Sequence, residues 1–381
     1  MKFTCKTDKL KKAVSRVERV VSKQTTLPIL GNILIKTEKG QLVLVATNLE
    51  VAIKVFISAK IEEEGSITIP PRVLSIFLNN IREEVVDVNV EDGKFYIKSE
   101  NHNTQIKTLE AKDFPIIPEM PEKYFFKMKM KNVIKAVNGV NISIAHKDTR
   151  QELNGVNVKF KKKSLILAST DSFRLMELKV PITGDSVGDD YFKYIDENNS
   201  IILPITVLTE LQQMDDDSEV AVFIGDNQIF FDLNDVHITS QLLSGHYPDY
   251  KQIIPTDCDI KIKLNKNEFL EAIKITSSVT VSQNSEVRIT KKEGDDYIVI
   301  TAQSVDLGES VSKIKIEDID SDFDVYFNHR YLLEGLNSSL FENEEILMEL
   351  KKEKSPVLFK SLYDGKIVED FLYMVMPIVK E

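Results

Sequence analysis

Cysteine is scarce in this chain. Cys5 and Cys258 are the only two, and they form neither a metal-ligand spacing nor a disulfide framework. A reducing, cytoplasmic setting suits such a sequence. Glycine is sparse as well, and none of it falls into a G-x-x-x-x-G-K loop, a dinucleotide fingerprint or a G-x-S-x-G elbow. His102, His146, His237, His246 and His329 are scattered without metal spacing. Asp215-Asp216-Asp217 reads as a turn at a helix end, and the acidic run Asp318 to Asp324 lacks the central Gly and terminal Glu of a calcium loop. No apolar run approaches a membrane span, and the opening Met-Lys-Phe-Thr-Cys lacks the apolar core of a signal peptide. These absences nominate no catalytic residue, cofactor, metal or membrane attachment.

What the chain does have is repetition. "LVLVATNLEVAIKV", "LILASTDSFRLMELKV" and "IVITAQSVDLGESVSKIKI" begin at Leu42, Leu165 and Ile298. Each is an apolar strand, a polar elbow and a second alternating strand. The elbow positions Thr47, Thr170 and Gln303 lie 123 and 133 residues apart. A second marker, a short strand running straight into a helix, recurs at Pro70, Pro204 and Asn328 with intervals of 134 and 124. Such a period exceeds a solenoid unit and matches a whole domain. With 381 residues, 42% hydrophobic and 29% charged, the sequence describes a soluble globular protein of three such domains. The divisions are expected in proline-punctuated stretches, giving domains 1–121, 122–255 and 256–381.

Within the first unit, Leu10, Val14, Val17 and Val21 mark one face of a helix from about Asp8 to Lys23, capped by Thr7 or Asp8. Pro71 suits the first turn of a second helix ending near Asn80. Strands fill the remainder. The second unit repeats the order, with helices expected over 131–145 and 205–214 and a hairpin turning at Gly225-Asp226-Asn227. The fold class is α+β: three tandem domains, each with two helices packed on antiparallel sheets. Asp171 beside Thr170 suits an Asx-type hydrogen bond in the elbow better than acid catalysis.

The net charge of −11 argues at first against nucleic acid, but binding depends on where the basic groups sit. Lys9, Lys12, Arg16, Arg19 and Lys23 recur at spacings of three and four, opposite the apolar stripe. Arg72 and Arg82 flank the outer face of the second helix, and Lys131 and Lys135 the outer face of the next. Such a surface either stays solvated or contacts phosphate. Without aromatic residues it would read backbone rather than bases. From the residues alone, a metal-dependent hydrolase or nuclease and an assembly protein with side-by-side repeats remain alternatives.

The chain resembles the bacterial DNA polymerase III beta subunit family, the sliding clamps. The resemblance rests on Met1-Lys2-Phe3-Thr4, "TLPILGNILI" from Thr26, "ATNLE", "DFP" from Asp113, "LNG" from Leu153, "STDSFRL", "YPDY" from Tyr247 and "VMP" from Val375. It implies three copies of one domain and two chains closing head to tail into a ring around duplex DNA. It implies no cofactor and no chemistry. The implied partners are the alpha subunit of the replicative polymerase, the clamp loader and other clamp-motif peptides. For DNA, the resemblance adds Gln24, Lys147, Arg150 and Gln151 to the basic residues above. For a peptide pocket between the second and third domains it implies Leu153, Thr170, Ser172, Phe173, Arg174 and Leu175 from the second. From the third and the stretch leading into it come Pro248, Gln252, Ile253, Pro356, Met374, Met376, Pro377, Ile378 and Val379. Phe173 replaces a residue that is often His in relatives. For the ring interface, Thr104 and Ile106 on a first-domain edge strand are expected to meet the third-domain helix near Ile275 and Thr276.

Overall fold

The structure, a computed structural model, describes residues 1–22, 27–146, 148–197, 200–215, 217–280, 285–317, 321–351 and 355–380. Of the residues singled out above, Lys23, Gln24, Lys147, Asp216 and Asp318 to Asp320 lie outside the described residues.

The helices follow the apolar spacing, with shifted ends. α1 (Thr7–Glu18) buries Leu10, Val14 and Val17 as expected, but it is capped by Lys6 and stops before the anticipated Lys23. Thr7 is no cap; its buried hydroxyl donates to the Glu83 carbonyl at 2.6 Å. Past Glu18 the β-branched Val20 and Val21 weaken the helix, and the Ser22 amide pairs with the Leu30 carbonyl (3.3 Å). The basic stripe therefore keeps only Lys9, Lys12 and Arg16 on the helix, with Arg19 as its C-cap. α2 (Pro71–Asn80) begins on its proline and ends where expected. α3 (Met130–Asn141) is shorter than its spacing suggests. α4 (Asp190–Asp196) was not legible in the pattern, and α5 (Ile205–Leu211) ends a turn early. α6 (Lys266–Thr276) and α7 (His329–Leu336) each start on an Asn whose side chain caps the first turn.

Contacts divide the chain into two compact bodies. The first comprises Met1–Lys129, Ser186–Tyr191 and Asp217–Leu242; the second comprises Met130–Asp185, Phe192–Asp216 and Leu243–Glu381. In the first body a five-stranded sheet runs in the order Lys60–Glu63, Lys2–Lys6, Val85–Glu91, Lys94–Lys98, Asn103–Lys107. An eight-stranded sheet runs Phe126–Lys129, Glu219–Ile224, Gln228–Asp232, Val236–Gln241, Val51–Ile57, Gln41–Thr47, Ile33–Glu38, Ser66–Ile69. α1 packs on α2 and on the strands Gln41–Thr47 and Val51–Ile57. The second sheet crosses a repeat boundary: Val51–Ile57 of the first repeat pairs antiparallel with Val236–Gln241 of the second, Val51 opposite Ser240.

The second body repeats that join. Its nine-stranded sheet includes the run Ser200–Pro204, Gly155–Lys161, Ser164–Thr170, Arg174–Pro181, Phe371–Val375, Val357–Tyr363, Glu345–Leu350, Ile260–Asn265. Here Arg174–Pro181 of the second repeat pairs with Phe371–Val375 of the third, Arg174 opposite Val375. A four-stranded sheet runs Gly308–Lys315, Tyr297–Ser304, Glu286–Lys291, Phe323–Asn328. α3 lies over Ser164–Thr170 and Arg174–Pro181, and α6 over Tyr297–Ser304 and Gly308–Lys315. Asn103–Lys107 in the first body and Gly308–Lys315 in the second are each the terminal strand of their sheet, paired on one side only among the described residues. Sheets continuous across repeat boundaries are why contacts yield two bodies from three repeats.

Candidate functional site

The elbow of the second repeat builds itself. The Thr170 hydroxyl donates to the Arg174 carbonyl (2.7 Å), and the Ser172 amide donates back to the Thr170 hydroxyl (3.1 Å). Asp171 Oδ1 accepts from the amides of Phe173 (3.0 Å) and Arg174 (2.9 Å), the Asx bond the sequence suggested. The turn places Ser172 at φ 75°, a left-handed conformation uncommon outside glycine. The first repeat has the same device. Thr47 and Asn48 make the equivalent bonds to Leu49, Glu50 and Val51, and Leu49 stands at φ 76°.

Around the second elbow the predicted pocket residues converge within one body. Leu175 lies opposite Met374 across the strand pair. Both are fully buried with Ala168, Leu358 and Tyr250, and Tyr247, Ile254, Cys258 and Leu372 pack against them. Leu153 and Thr170 are buried as well. Met374, 1% exposed, is therefore the floor beneath the rim. The open rim consists of Ser172, Phe173, Pro248, Gln252, Ile253, Ile378 and Val379, with Pro356, Met376 and Pro377 half-buried. The Met376 amide donates to the Phe173 carbonyl (2.8 Å) and the Ile378 amide to the Tyr326 carbonyl (2.7 Å), which fixes the tail beside the elbow. Gln252 turns back to Asp249 (2.9 Å).

Arg174 anchors the rim. Its Nε donates to Asp171 Oδ2 (2.9 Å), Nη1 pairs with Glu334, and the guanidinium lies 4.5 Å from the centre of the Tyr331 ring. Burial alone would disfavour this cation, but the Tyr373 hydroxyl and the two carboxylates outweigh it and raise its pKa. Phe173, 58% exposed, stacks on Tyr331 with ring centres 6.3 Å apart. α7 comes close enough here that a Cβ on Gly335 would sit 2.0 Å from the Tyr373 ring, so no other residue fits. Burial and a hydrogen bond to Glu177 (2.6 Å) raise the Tyr250 pKa, and burial raises that of Tyr247. The Tyr247 hydroxyl is buried against the Thr170 backbone. Sequence reasoning missed Tyr247, Tyr250, Ile254, Leu358 and Tyr331. The aromatic pair in "YPDY" was the available signal, since residues flanking a rim proline are placed to pack beneath it.

The basic residues are displayed but partly neutralised. In the first body Lys9 reaches Ser58 (3.3 Å) and Arg16 pairs with Asp235 (3.2 Å), while Lys12, Arg19, Arg72 and Arg82 are exposed. In the second body Lys131 and Gln151 are exposed, Lys135 pairs with Glu342 (2.7 Å), and Arg150 forks onto Asp148. That fork holds the Asp148 carboxyl below its usual range.

The predicted interface residues divide. Ile275 on α6 is 53% exposed, but Thr276, the next position around the helix, turns inward and donates to the Ser312 hydroxyl (2.9 Å). On the strand Asn103–Lys107, Ile106 is buried and Thr104 half-buried on the same face, which leaves the backbone edge rather than these side chains on display. Val73 and Ile76 of α2 are exposed nearby in that body, and Val311 is exposed on the other open strand. Among the described residues no three His, Cys, Asp or Glu side chains gather as a metal site, and no helix is long and apolar enough to cross a membrane.

Comparison with known proteins agrees along the whole chain. The N-terminal, central and C-terminal domain models of the DNA polymerase III beta subunit match residues 1–118, 127–249 and 251–377. The beta sliding clamp of Synechocystis sp. is 27% identical over 398 residues, covering 99% of both chains. The DNA polymerase sliding clamp of Bacillus subtilis superposes with a TM-score of 0.90 at 26% identity and full coverage of both chains. The DNA polymerase III subunit beta of Pseudomonas aeruginosa gives 0.90 at 25% identity, covering 99% of this chain and 100% of its own. Three tandem clamp domains and the repeated elbow come together in one assignment: the chain belongs to the DNA polymerase III beta subunit family, the sliding clamps, which are non-catalytic processivity factors.

Proposed function

We propose that two copies of this chain close head to tail into a ring around duplex DNA in the cytoplasm and tether the replicative polymerase to it. The observation that carries the reading is the repeated join. The second strand after an elbow pairs with the last strand of the following repeat, once in each body. Among the described residues, the third elbow is followed by Gly308–Lys315, which has no such partner, and the first repeat ends in Asn103–Lys107, which has none either. One chain cannot supply both a following and a preceding repeat to itself, but a second copy can. A head-to-tail contact that closes makes a ring.

The helices support the same reading. Counting from each helix start, Arg16 of α1, Gly139 of α3 and Ile275 of α6 are equivalent. Arg16 touches Asp235 and Gly139 touches Leu340, each in the following repeat. Ile275 is left exposed for a partner chain. Lys9, Lys12, Arg19, Arg72, Arg82, Lys131 and Arg150 supply weak, sequence-independent phosphate contacts that permit sliding. The rim around Phe173 and Met376 takes short peptides of the polymerase alpha subunit, the clamp loader and other clamp-binding proteins, whose apolar anchors dominate such contacts. Tethering raises the polymerase's effective concentration at the primer end. We place the domain divisions at 121/122 and 255/256. The test is retention after loading onto nicked circular DNA. A topological ring stays on the circle and is lost on linearisation; equal retention on both would sink the proposal.

A further inference from the structure

Arg150 lies where two parts of the second body meet. Its short loop is rigidly built: the Asp148 amide donates to Asn154 Oδ1 and Asn154 Nδ2 returns a bond to the Asp148 carbonyl, both 2.9 Å. Asp148 in turn takes the Arg150 Nε (3.1 Å) and Nη2 (3.0 Å) on one edge of the guanidinium. The same Nη2 donates its other proton to Ser172 Oγ at 2.9 Å. Ser172 is the left-handed residue of the docking elbow, directly before Phe173 on the rim.

This tether is not needed to fold the elbow. The first repeat forms the same turn with Leu49 at the same φ, and leucine offers no hydroxyl to hold. A turn that assembles without the tether, yet is held by it from one side, is free to settle differently when the tether lets go.

We infer that Arg150 is a positioning residue for the docking elbow, and that a DNA phosphate and the elbow compete for its guanidinium. The inference rests on the reading above, in which Arg150 meets phosphate and the groove takes a peptide. With the Nε edge occupied by Asp148, a phosphate can be gripped two-pronged only along the Nη1–Nη2 edge. That grip takes the Nη2 proton now given to Ser172. An anionic oxygen is the stronger acceptor, so DNA contact releases the elbow and loosens Phe173. By linkage, a bound peptide that fixes the elbow keeps Arg150 from phosphate by the same factor.

The test is titration of a synthetic pentapeptide, starting Gln-Leu and ending in Phe, into the full-length protein with and without a short blunt duplex at low salt. Duplex binding is followed separately by anisotropy. For the unaltered protein the peptide should bind about two- to tenfold more weakly when duplex is present, the range for one charge-assisted hydrogen bond. In Ser172→Ala the ratio should fall to one, with DNA-free affinity already lowered to the value the unaltered protein shows with duplex. The first-repeat elbow, which lacks this hydroxyl, indicates that the variant folds. If both ligands bind but the ratio is one in the unaltered protein, or is the same in the variant, the competition is refuted and the docking reading survives. If the peptide fails to bind without DNA, or the duplex fails to bind at all, the functional reading falls and takes this inference with it.

Discussion

Replacing Ile275 by Asp should convert the proposed ring to monomers. Ile275 projects from α6, 53% exposed, at the place where α1 and α3 meet the following repeat within their own bodies. Covering the exposed half of an isoleucine is worth roughly 1–1.5 kcal/mol, half of a full burial. An aspartate there loses that gain, and an unpaired carboxylate in a closed contact costs at least another ~2 kcal/mol. The loss is about 3 kcal/mol at each junction between chains. A two-chain ring has two such junctions that form together, so dissociation is favoured by about 6 kcal/mol, or more than ten-thousandfold in Kd. Sedimentation velocity across a concentration series reads this directly. The protein should move from dimer to monomer at concentrations where the unaltered chain is dimeric. Because Ile275 is exposed in the single chain, the melting temperature of the monomer should be preserved. A dimer of unchanged mass and affinity would refute both the helix equivalence and the open-edge pairing.

Changing Lys9, Lys12 and Arg19 together to Glu should weaken retention on primed DNA and lower the salt slope by about one for each phosphate no longer neutralised; an unaltered slope would make the stripe a solvated face only. Met374→Ala should cost about 2–4 kcal/mol of stability, because its side chain is buried in the groove floor. Met376→Ala should leave thermal unfolding unchanged and weaken peptide binding by about 1 kcal/mol, measured by calorimetry. Asp232 is held below the usual carboxyl range, first by the hydrogen bond from His237 and then by the Asn234 amide, against opposing burial. A depressed carboxyl stabilises the folded chain above the unfolded value near 4 and loses that contribution as pH falls through its own lower value. Asp232→Asn should therefore flatten the fall in melting temperature below pH ~4, and an equally steep acid limb would assign that limb to other carboxylates.

Local signals in the sequence translated well. The apolar spacing of α1, the proline at the start of α2 and the Asx elbow at Asp171 all reappear, because each depends on residues within a turn or two. What did not translate depends on partners far along the chain. The sequence marked Arg16 and Lys135 as basic surface residues, but only the fold sets Asp235 beside the first and Glu342 beside the second. Thr276 looked like interface next to Ile275, but one helical step turns it into the core against Ser312. Met374 belonged to a family pocket, yet alternation along Phe371–Val375 directs it beneath the rim. Three repeats were legible; two compact bodies were not, because sheet edges joining across repeats leave no mark in local spacing.

The repeated elbow also explains why docking should be confined to one junction of each chain. The backbone is the same at both. Glu50 accepts the Gln241 amide at 2.9 Å where Phe173 accepts the Met376 amide at 2.8 Å. Beneath, Ala52 faces Thr239 where Leu175 faces Met374. Above, Leu49 stands where Ser172 stands. The first junction thus presents a carboxylate and an amide at its rim over a small, hydroxyl-bearing floor. The second presents an aromatic ring and a thioether over two large apolar side chains. An incoming peptide anchor gains little by desolvating Glu50 and Gln241, whereas Phe173 and Met376 give up apolar surface to it, and methionine adapts to more than one anchor shape. On the proposed docking, specificity for the second junction would reside in side chains mounted on a common turn, and the Arg150 tether, which grips a hydroxyl the first elbow lacks, belongs to that same local difference.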